Sequence, residues 1–286
     1  MLNLLYVESL VAVLATGSFR AAAKRLGRPQ PTVSQQIQKL EADLGAKLIS
    51  RNAAGCTPTR EGTIFLPYAQ ALLRTVDRAA EAMRGGRIAI GASGNIGTYM
   101  LQPVVGRFAA QGHPLPVVTI APNPAVADML FRGEIDLAAM EWWDGRPGFT
   151  AIRWRSEELV VIVPPDHLWA GQESVPAEEL ARHPMIGGEP GSGTGRILIQ
   201  ALANAGGDFS VSLMLGSTEA VKNAVQAGLG ISVVLASAVA REAAAGLLHL
   251  VRVQGAELRK DLFAVHAADL PAASAVHDFT RLLAMA

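Results

Sequence analysis

The chain has 286 residues, half of them hydrophobic, with 25 Lys or Arg balanced by 25 Asp or Glu; this length and apolar content can bury a core spread over two or three folding units and exclude a disordered tail. No run of 18 or more apolar residues occurs and no basic segment precedes an apolar one at the N-terminus, so neither a membrane span nor a secretory signal is expected, and the expected compartment is the cytoplasm. The neutral total hides an uneven distribution: residues 1–84 carry 11 cations and 6 anions, the rest 14 and 19. The N-terminal part can therefore attract a phosphate backbone, because charges more than about 10 Å apart are screened from one another.

Leu5 to Ala15 reads as a first helix with Leu10, Val13 and Leu14 facing inward, and Ser18 as the N-cap of a second helix through Leu26. After the tight turn Gly27-Arg28-Pro29, the segment Gln30 to Asp43 places Val33, Ile37, Leu40 and Leu44 at i, i+4, i+7 and i+11. One face is then buried while Thr32, Ser34, Gln35 and Gln38 point outward. Two short helices joined by a tight turn, the second bearing uncharged hydrogen-bonding side chains, suit entry into a DNA major groove. Leu48 to Thr59, with Gly55 and Pro58 between short extended pieces, reads as a hairpin wing with Cys56 packed near it.

From Thr59 to Arg84 the pattern is one long helix with Pro67 near its start, where it should kink. Phe65, Ala69, Leu72, Val76, Ala79 and Met83 alternate at spacings of four and three, a seam that predicts dimerisation. After Gly86 short apolar strands alternate with helices: strands at Arg87–Ala92, Val117–Ile120, Ile135–Met140, Leu159–Val163, Ile231–Leu235 and Leu262–Val265, and helices at Tyr99–Ala110, Ala125–Phe131, Gly195–Ala205 and Thr218–Ala227. This predicts α/β units on largely parallel sheets.

Three polar, glycine-rich turns precede helices in this second half: Ser93-Gly94-Asn95-Ile96-Gly97-Thr98, Glu189-Pro190-Gly191-Ser192-Gly193-Thr194-Gly195 and Gly216-Ser217-Thr218-Glu219. At such positions backbone N–H groups and hydroxyls converge where the helix dipole favours an anion, so three turns facing one crevice predict an anion pocket. The second turn lacks a P-loop lysine, which speaks against ATP or GTP. Glu141, after the strand through Met140, would oppose an anion if it faced the pocket; a hydrogen-bonding or gating role is the other reading. Trp142 and Trp143 could close an apolar side, leaving room for a larger carboxylate.

The single cysteine, Cys56, excludes an intramolecular disulfide or a multi-cysteine metal site, and the six histidines, at 113, 167, 183, 249, 266 and 277, show no HxxxH or HxH spacing. No metal and no cofactor are expected. No Ser-His-Asp or Cys-His constellation and no dinucleotide GxGxxG after the first strand is visible, so no catalytic residue is assigned and an enzyme is not expected.

Ser18-Phe19, Ala21-Ala22-Ala23, Leu26, Gln30-Pro31-Thr32-Val33-Ser34-Gln35-Gln36-Ile37, Leu40-Glu41, Leu44-Gly45, Leu48, Arg51, Thr59 and Gly62 together resemble the DNA-binding domain of LysR-type transcriptional regulators. The resemblance continues through Ile90-Gly91, Gly133-Glu134-Ile135-Asp136-Leu137-Ala138, Glu158-Leu159-Val160, Val163-Pro164 and Gly228-Leu229-Gly230-Ile231, covering essentially the whole chain. It implies an α/β protein with a winged helix-turn-helix domain over residues 1–60, a dimerisation linker helix over 61–86, and a two-lobed effector domain over 87–286 like a periplasmic binding protein. The first lobe would span 87–161 and 268–286, the second 162–267. A homodimer or homotetramer on double-stranded operator DNA, with a small effector changing the DNA bend, is likewise implied. The arrangement of the turns is similar to the subgroup controlling sulfur assimilation or carbon fixation, whose effectors are small anions or phosphorylated metabolites.

The expected DNA-contacting residues are Gln30, Pro31, Thr32, Ser34, Gln35 and Gln38 toward bases or phosphates, and Arg28, Lys39 and Arg51 toward phosphates. The expected effector residues are Ser93, Gly94, Asn95, Thr98, Glu141, Gly191, Ser192, Gly193, Thr194, Ser217 and Thr218, and the expected dimer contacts Phe65, Leu72, Val76 and Met83. Relative to the family pattern, Gln35 stands where Arg or Lys is frequent, and the wing segment Asn52-Ala53-Ala54-Gly55-Cys56 carries no charge. DNA affinity should then be lower and less salt-dependent than with a basic wing. A stand-alone solute-binding protein is the competing class, opposed by the N-terminal DNA module.

Overall fold

The structure, a computed structural model, describes residues 2–52, 55–83, 86–189, 193–203 and 211–285. It divides into two compact units, Met1–Gly86 with Phe131–Glu134, and Arg87–Leu130 with Ile135–Ala286.

The first unit holds α1 (Leu4–Thr16), α2 (Phe19–Leu26), α3 (Gln30–Leu44), β1 (Ile49–Asn52), β2 (Gly55–Pro58) and α4 (Arg60–Ala82). Ser18 caps α2, its hydroxyl accepting from Ala21 N–H at 3.4 Å, and Gly27 ends the helix at φ +64°, a conformation that suits a residue without Cβ. Pro29 precedes α3 without a side-chain cap, and Pro31 in the first turn loses no internal bond. Val33, Ile37 and Leu40 are buried as their spacing predicts, each contributing about 1.5–3 kcal/mol through removal from water.

Glu41 is buried on the same face. Its carboxylate accepts from Leu48 N–H at 2.9 Å and Ile49 N–H at 3.3 Å and from Lys47 Nζ at 2.7 Å, tying α3 to the strand that follows. Burial alone would raise its pKa, but these hydrogen bonds outweigh it and hold the carboxyl below its ordinary value. β1 and β2 form the two-stranded wing, with Cys56 N–H donating to Gly17 O at 2.8 Å.

Helix α4 runs unbroken through Pro67. Its expected seam needs correction at the N-terminal end: Ala69 is fully buried and Phe65 packs beside it against Val7, Leu10, Leu40 and Leu48, inside its own unit. The large apolar residues left exposed are Ile64, Tyr68, Leu72, Val76 and Met83, and Ala79 of the expected seam is exposed with them. The reason is that β2 and α1 claim the first three turns of α4 for the local core.

The second unit holds β3 (Ala89–Ala92), a π-helical turn (Ile96–Met100), α5 (Leu101–Ala110), β4 (Val117–Ile120), α6 (Asn123–Phe131), β5 (Leu137–Met140), β6 (Phe149–Val163), β7 (Ser174–Val175), α7 (Ala177–Leu180), β8 (Met185–Gly187), α8 (Thr194–Ala203), β9 (Val211–Met214), α9 (Thr218–Gln226), β10 (Ser232–Leu235), α10 (Ala240–Ala244), β11 (His249–Val253), β12 (Arg259–Ala267) and α11 (Ala275–Ala284).

The expectation of largely parallel sheets holds only at the edges. β3 is parallel to β4 and β5, and β8 to β9, but β12 is antiparallel to β5 and β6, and β10 and β11 are antiparallel to β6. The 15-residue β6 serves both lobes: Phe149–Glu158 pairs with β12, and Leu159–Val163 pairs with β10 and β11; β12 therefore lies in the sheet of the first lobe, which corrects the expected second-lobe span of 162–267 at its C-terminal end. A chain that crosses to a second lobe and returns re-enters the first sheet from the opposite end, so its return strand must run antiparallel.

Candidate functional site

On α3, Gln30, Pro31, Gln35, Gln38 and Lys39 are exposed, with Thr32 and Ser34 half-buried between them. Gln36 is turned the other way, its side-chain oxygen accepting from the fully buried Ser9 at 2.6 Å. Arg51 lies on the wing with its guanidinium 4.1 Å from the Phe19 ring centre, which orients an exposed cation beside the helix. Arg28 is a correction: its guanidinium pairs with Glu8 at 2.5 Å and its Nη1 is sealed from solvent, so it braces α1 against the turn rather than reaching outward.

In the second unit all three glycine-rich turns reach one cavity of about 450 Å³, lined among others by Gly94, Asn95, Thr98, Gly193, Thr194, Ser217 and Thr218. Ser217 caps α9, accepting from Ala220 N–H at 3.2 Å, and α8 begins at Thr194. Two helix starts and the helical turn after Ser93 thus meet at one place. Thr218 Oγ1 donates to Asn95 Oδ1 at 2.7 Å and Tyr99 OH to Glu219 Oε1 at 2.7 Å, so the two walls of the cavity are hydrogen-bonded to each other. Burial, then the bond to Glu219, raises the Tyr99 pKa. Gly191 and Ser192 lie outside the described residues.

Glu141 and Ser93 are also corrected. Both are buried behind the cavity wall rather than on it. Glu141 forms an ion pair with Lys260, whose side chain is as buried as its own, and accepts from Asn95 Nδ2 at 3.1 Å and Ser93 Oγ at 3.4 Å. Lys260 Nζ also donates to Thr194 Oγ1 at 3.0 Å, so the pair positions two residues of the wall. Of the tryptophan pair only Trp142 lines the cavity, with the Arg196 guanidinium 5.3 Å from its ring centre; Trp143 packs edge-on against Phe149.

Lys260, Arg196 and Glu189 were missed as site residues. Lys260 sits in Arg259-Lys260-Asp261, which looks like a solvated charged triplet, yet it shares the period-2 face of Leu258, Leu262 and Ala264, all buried. That alternation was the available signal. Glu189 and Arg196 flank the glycine turn and carry no comparable pattern.

A winged helix-turn-helix unit and a two-lobed α/β unit enclosing a crevice define a DNA-binding regulator with an effector domain. Residues 4–63 match the model of the bacterial regulatory helix-turn-helix protein, lysR family, and residues 81–286 that of the LysR substrate binding domain. The chain belongs to the LysR family of transcriptional regulators. It is 49% identical over 196 residues to PtxE of Stutzerimonas stutzeri, named as an HTH-type transcriptional regulator, covering 68% of this chain and 100% of that one. It is 32% identical over 267 residues to a probable RuBisCO transcriptional regulator of Cyanophora paradoxa, covering 88% and 82%. Among solved structures it is similar in fold to a full-length OxyR from Pseudomonas aeruginosa (TM-score 0.71, 22% identity, 99% and 95% covered) and to CbnR complexed with its target DNA (TM-score 0.66, 21% identity, 99% and 100% covered). No helix among the described residues is long and apolar enough to cross a membrane.

Proposed function

We propose that this regulator binds an extended operator as a homodimer or homotetramer and that a small anion entering the crevice changes its DNA binding or bending. The observation that carries the reading is the convergence of three helix-preceding turns on one cavity. Gln30, Pro31, Thr32, Ser34, Gln35 and Gln38 read the DNA, while Lys39 and Arg51 hold phosphates. Gly94, Asn95, Thr98, Gly193, Thr194, Ser217 and Thr218 hold the effector. The working division is a DNA-binding domain over 1–60, a linker helix over 61–86 and an effector domain over 87–286. The names carried by the RuBisCO regulators support the carbon-fixation side of the subgroup, where effectors are phosphorylated or otherwise anionic. A second reading, a larger aromatic or apolar carboxylate, is favoured by the apolar part of the wall, which includes Met185, Ile186, Leu198, Val211 and Met214.

The test is thermal stabilisation of wild type and Thr194→Ala by sulfate, sulfite, phosphate, sugar phosphates, nicotinamide nucleotides and aromatic carboxylates. A ligand at 100 times its Kd adds about 2.7 kcal/mol. A shift for an anion that vanishes in the variant supports the reading; a shift only for an aromatic or apolar acid favours the second. Failure to retard DNA from its own upstream region at any salt or ligand condition would sink the operator-binding part.

A further inference from the structure

Glu189 follows β8 and lines the crevice with Asn95, Thr98, Thr194 and Thr218. Its Oε2 lies 3.1 Å from the position a Cβ on Gly94 would take, so the carboxyl sits directly over the backbone of the first turn, and it accepts a hydrogen bond from Asn123 N–H. Its Oε1 is sealed from water and has no hydrogen-bond partner among the described residues. A buried acceptor left without a donor is costly, and rotation of the Glu189 carboxyl toward the crevice, whose wall it lines, would bring that oxygen to a ligand donor.

The surrounding charges decide what kind of ligand. From β12 Lys260 faces this corner, from the end of β5 Glu141, from α8 Arg196, and Glu219 lines the same cavity from α9. Lys260 is already paired with Glu141, and Arg196 lies over the Trp142 ring, so an anion placed against the Glu189 carboxyl meets a negative oxygen that neither cation neutralises directly. Two negative oxygens can lie side by side only with a proton between them.

We infer that Glu189 selects an oxyanion that still carries a proton, whose O–H donates to the carboxylate, and rejects one that is fully ionised. Among simple probes this separates hydrogen phosphate from sulfate, which have the same shape and differ in the proton. The inference rests on the anion reading of the crevice.

The experiment is calorimetric titration of the full-length protein, wild type and Glu189→Gln, with inorganic phosphate and with sulfate. Wild type should bind phosphate at least about 100-fold more tightly than sulfate, and Glu189→Gln, whose amide can donate to either ion, should bring the two within about threefold, chiefly by gaining sulfate. Equal affinities in wild type, or an unchanged preference in Glu189→Gln, overturns the inference while leaving the anion reading standing. Binding of neither ion by wild type overturns the inference, and the anion reading falls with it only if the sugar phosphates and nicotinamide nucleotides also fail to bind. If Glu189→Gln does not fold, a pH series on wild type decides. Burial and the neighbouring Glu141 raise the Glu189 pKa, so lowering the pH protonates it and creates a donor for sulfate. Sulfate affinity should therefore rise as pH falls, and a pH-independent sulfate affinity overturns the inference.

Discussion

Replacing Lys260 by methionine tests how the crevice wall is held. The Lys260 and Glu141 side chains are 2% and 1% exposed, so each is out of water and depends on the other. In Lys260→Met, Glu141 keeps only Asn95 at 3.1 Å, Ser93 at 3.4 Å and its local backbone surroundings as compensation. Breaking a buried pair from one side costs about 3–5 kcal/mol, whereas replacing both charges by neutral groups of similar volume is close to neutral. Lys260→Met should lose that amount and Lys260→Met/Glu141→Gln should recover most of it, to within about 1–2 kcal/mol of wild type. All four tryptophans, at 142, 143, 154 and 169, fall in the second unit, so their fluorescence during urea unfolding reports that unit alone. Burial, offset only in part by Glu141, holds Lys260 below the ordinary lysine value of 10.5. Between the folded value and 10.5 the unfolded chain binds more protons, so wild-type stability should rise with pH through that window, and the slope should be absent in the variant. A single-variant cost under about 1 kcal/mol, or a double variant as unstable as the two singles added, would refute the reasoning.

Glu41→Gln should cost about 1.5–3 kcal/mol at neutral pH, because two backbone N–H groups and Lys47 lose a charged acceptor. Since the folded pKa lies below the ordinary 4.5, this stabilisation is present above 4.5 and lost as pH falls through the folded value; circular dichroism unfolding in a pH series from 7 downward past 4.5 should show the difference between wild type and variant shrink as the pH falls. Gln30→Ala should weaken specific more than nonspecific DNA binding, by roughly 1–3 kcal/mol if the amide makes a bidentate base contact, and equal losses on both sequences in a retardation assay would assign it to a phosphate. Leu72→Glu with Val76→Glu should lower the assembly state seen by light scattering, and an unchanged mass would remove the exposed stripe of α4 from the subunit interface.

The first unit was legible because its signals are local. Ser18, Gly27 and the spacing of Val33, Ile37 and Leu40 act within a turn or two, so the helices fall where periodicity puts them. The seam of α4 was misread at Phe65 and Ala69 because a heptad says that a face is apolar, not which neighbour covers it. In the second unit the glycine turns announced the crevice, yet the antiparallel centre did not show. The part of β6 that pairs with β12 carries Arg153, Arg155, Glu157 and Glu158, and β12 lies far along the sequence. Burial of a charge is equally invisible until its counter-charge is found: Lys260 and Glu141 are 119 residues apart, and only the strand pairing of β12 with β5 brings them together.

The lateral position of β12, between β5 and β6, has a consequence for how the polypeptide is made. Helices α1 to α3 pack on one another and on the wing, all contributed by residues 4–58, which are made before the second unit. The sheet of the first lobe cannot close until residue 267 has emerged, roughly a hundred residues after β6 is finished. At ordinary synthesis rates that interval lasts about 5–20 s, during which β5 and β6 present unpaired edges to water or to a chaperone. A chain released early in that interval would carry the helix-turn-helix unit complete and the sheet of the second unit open.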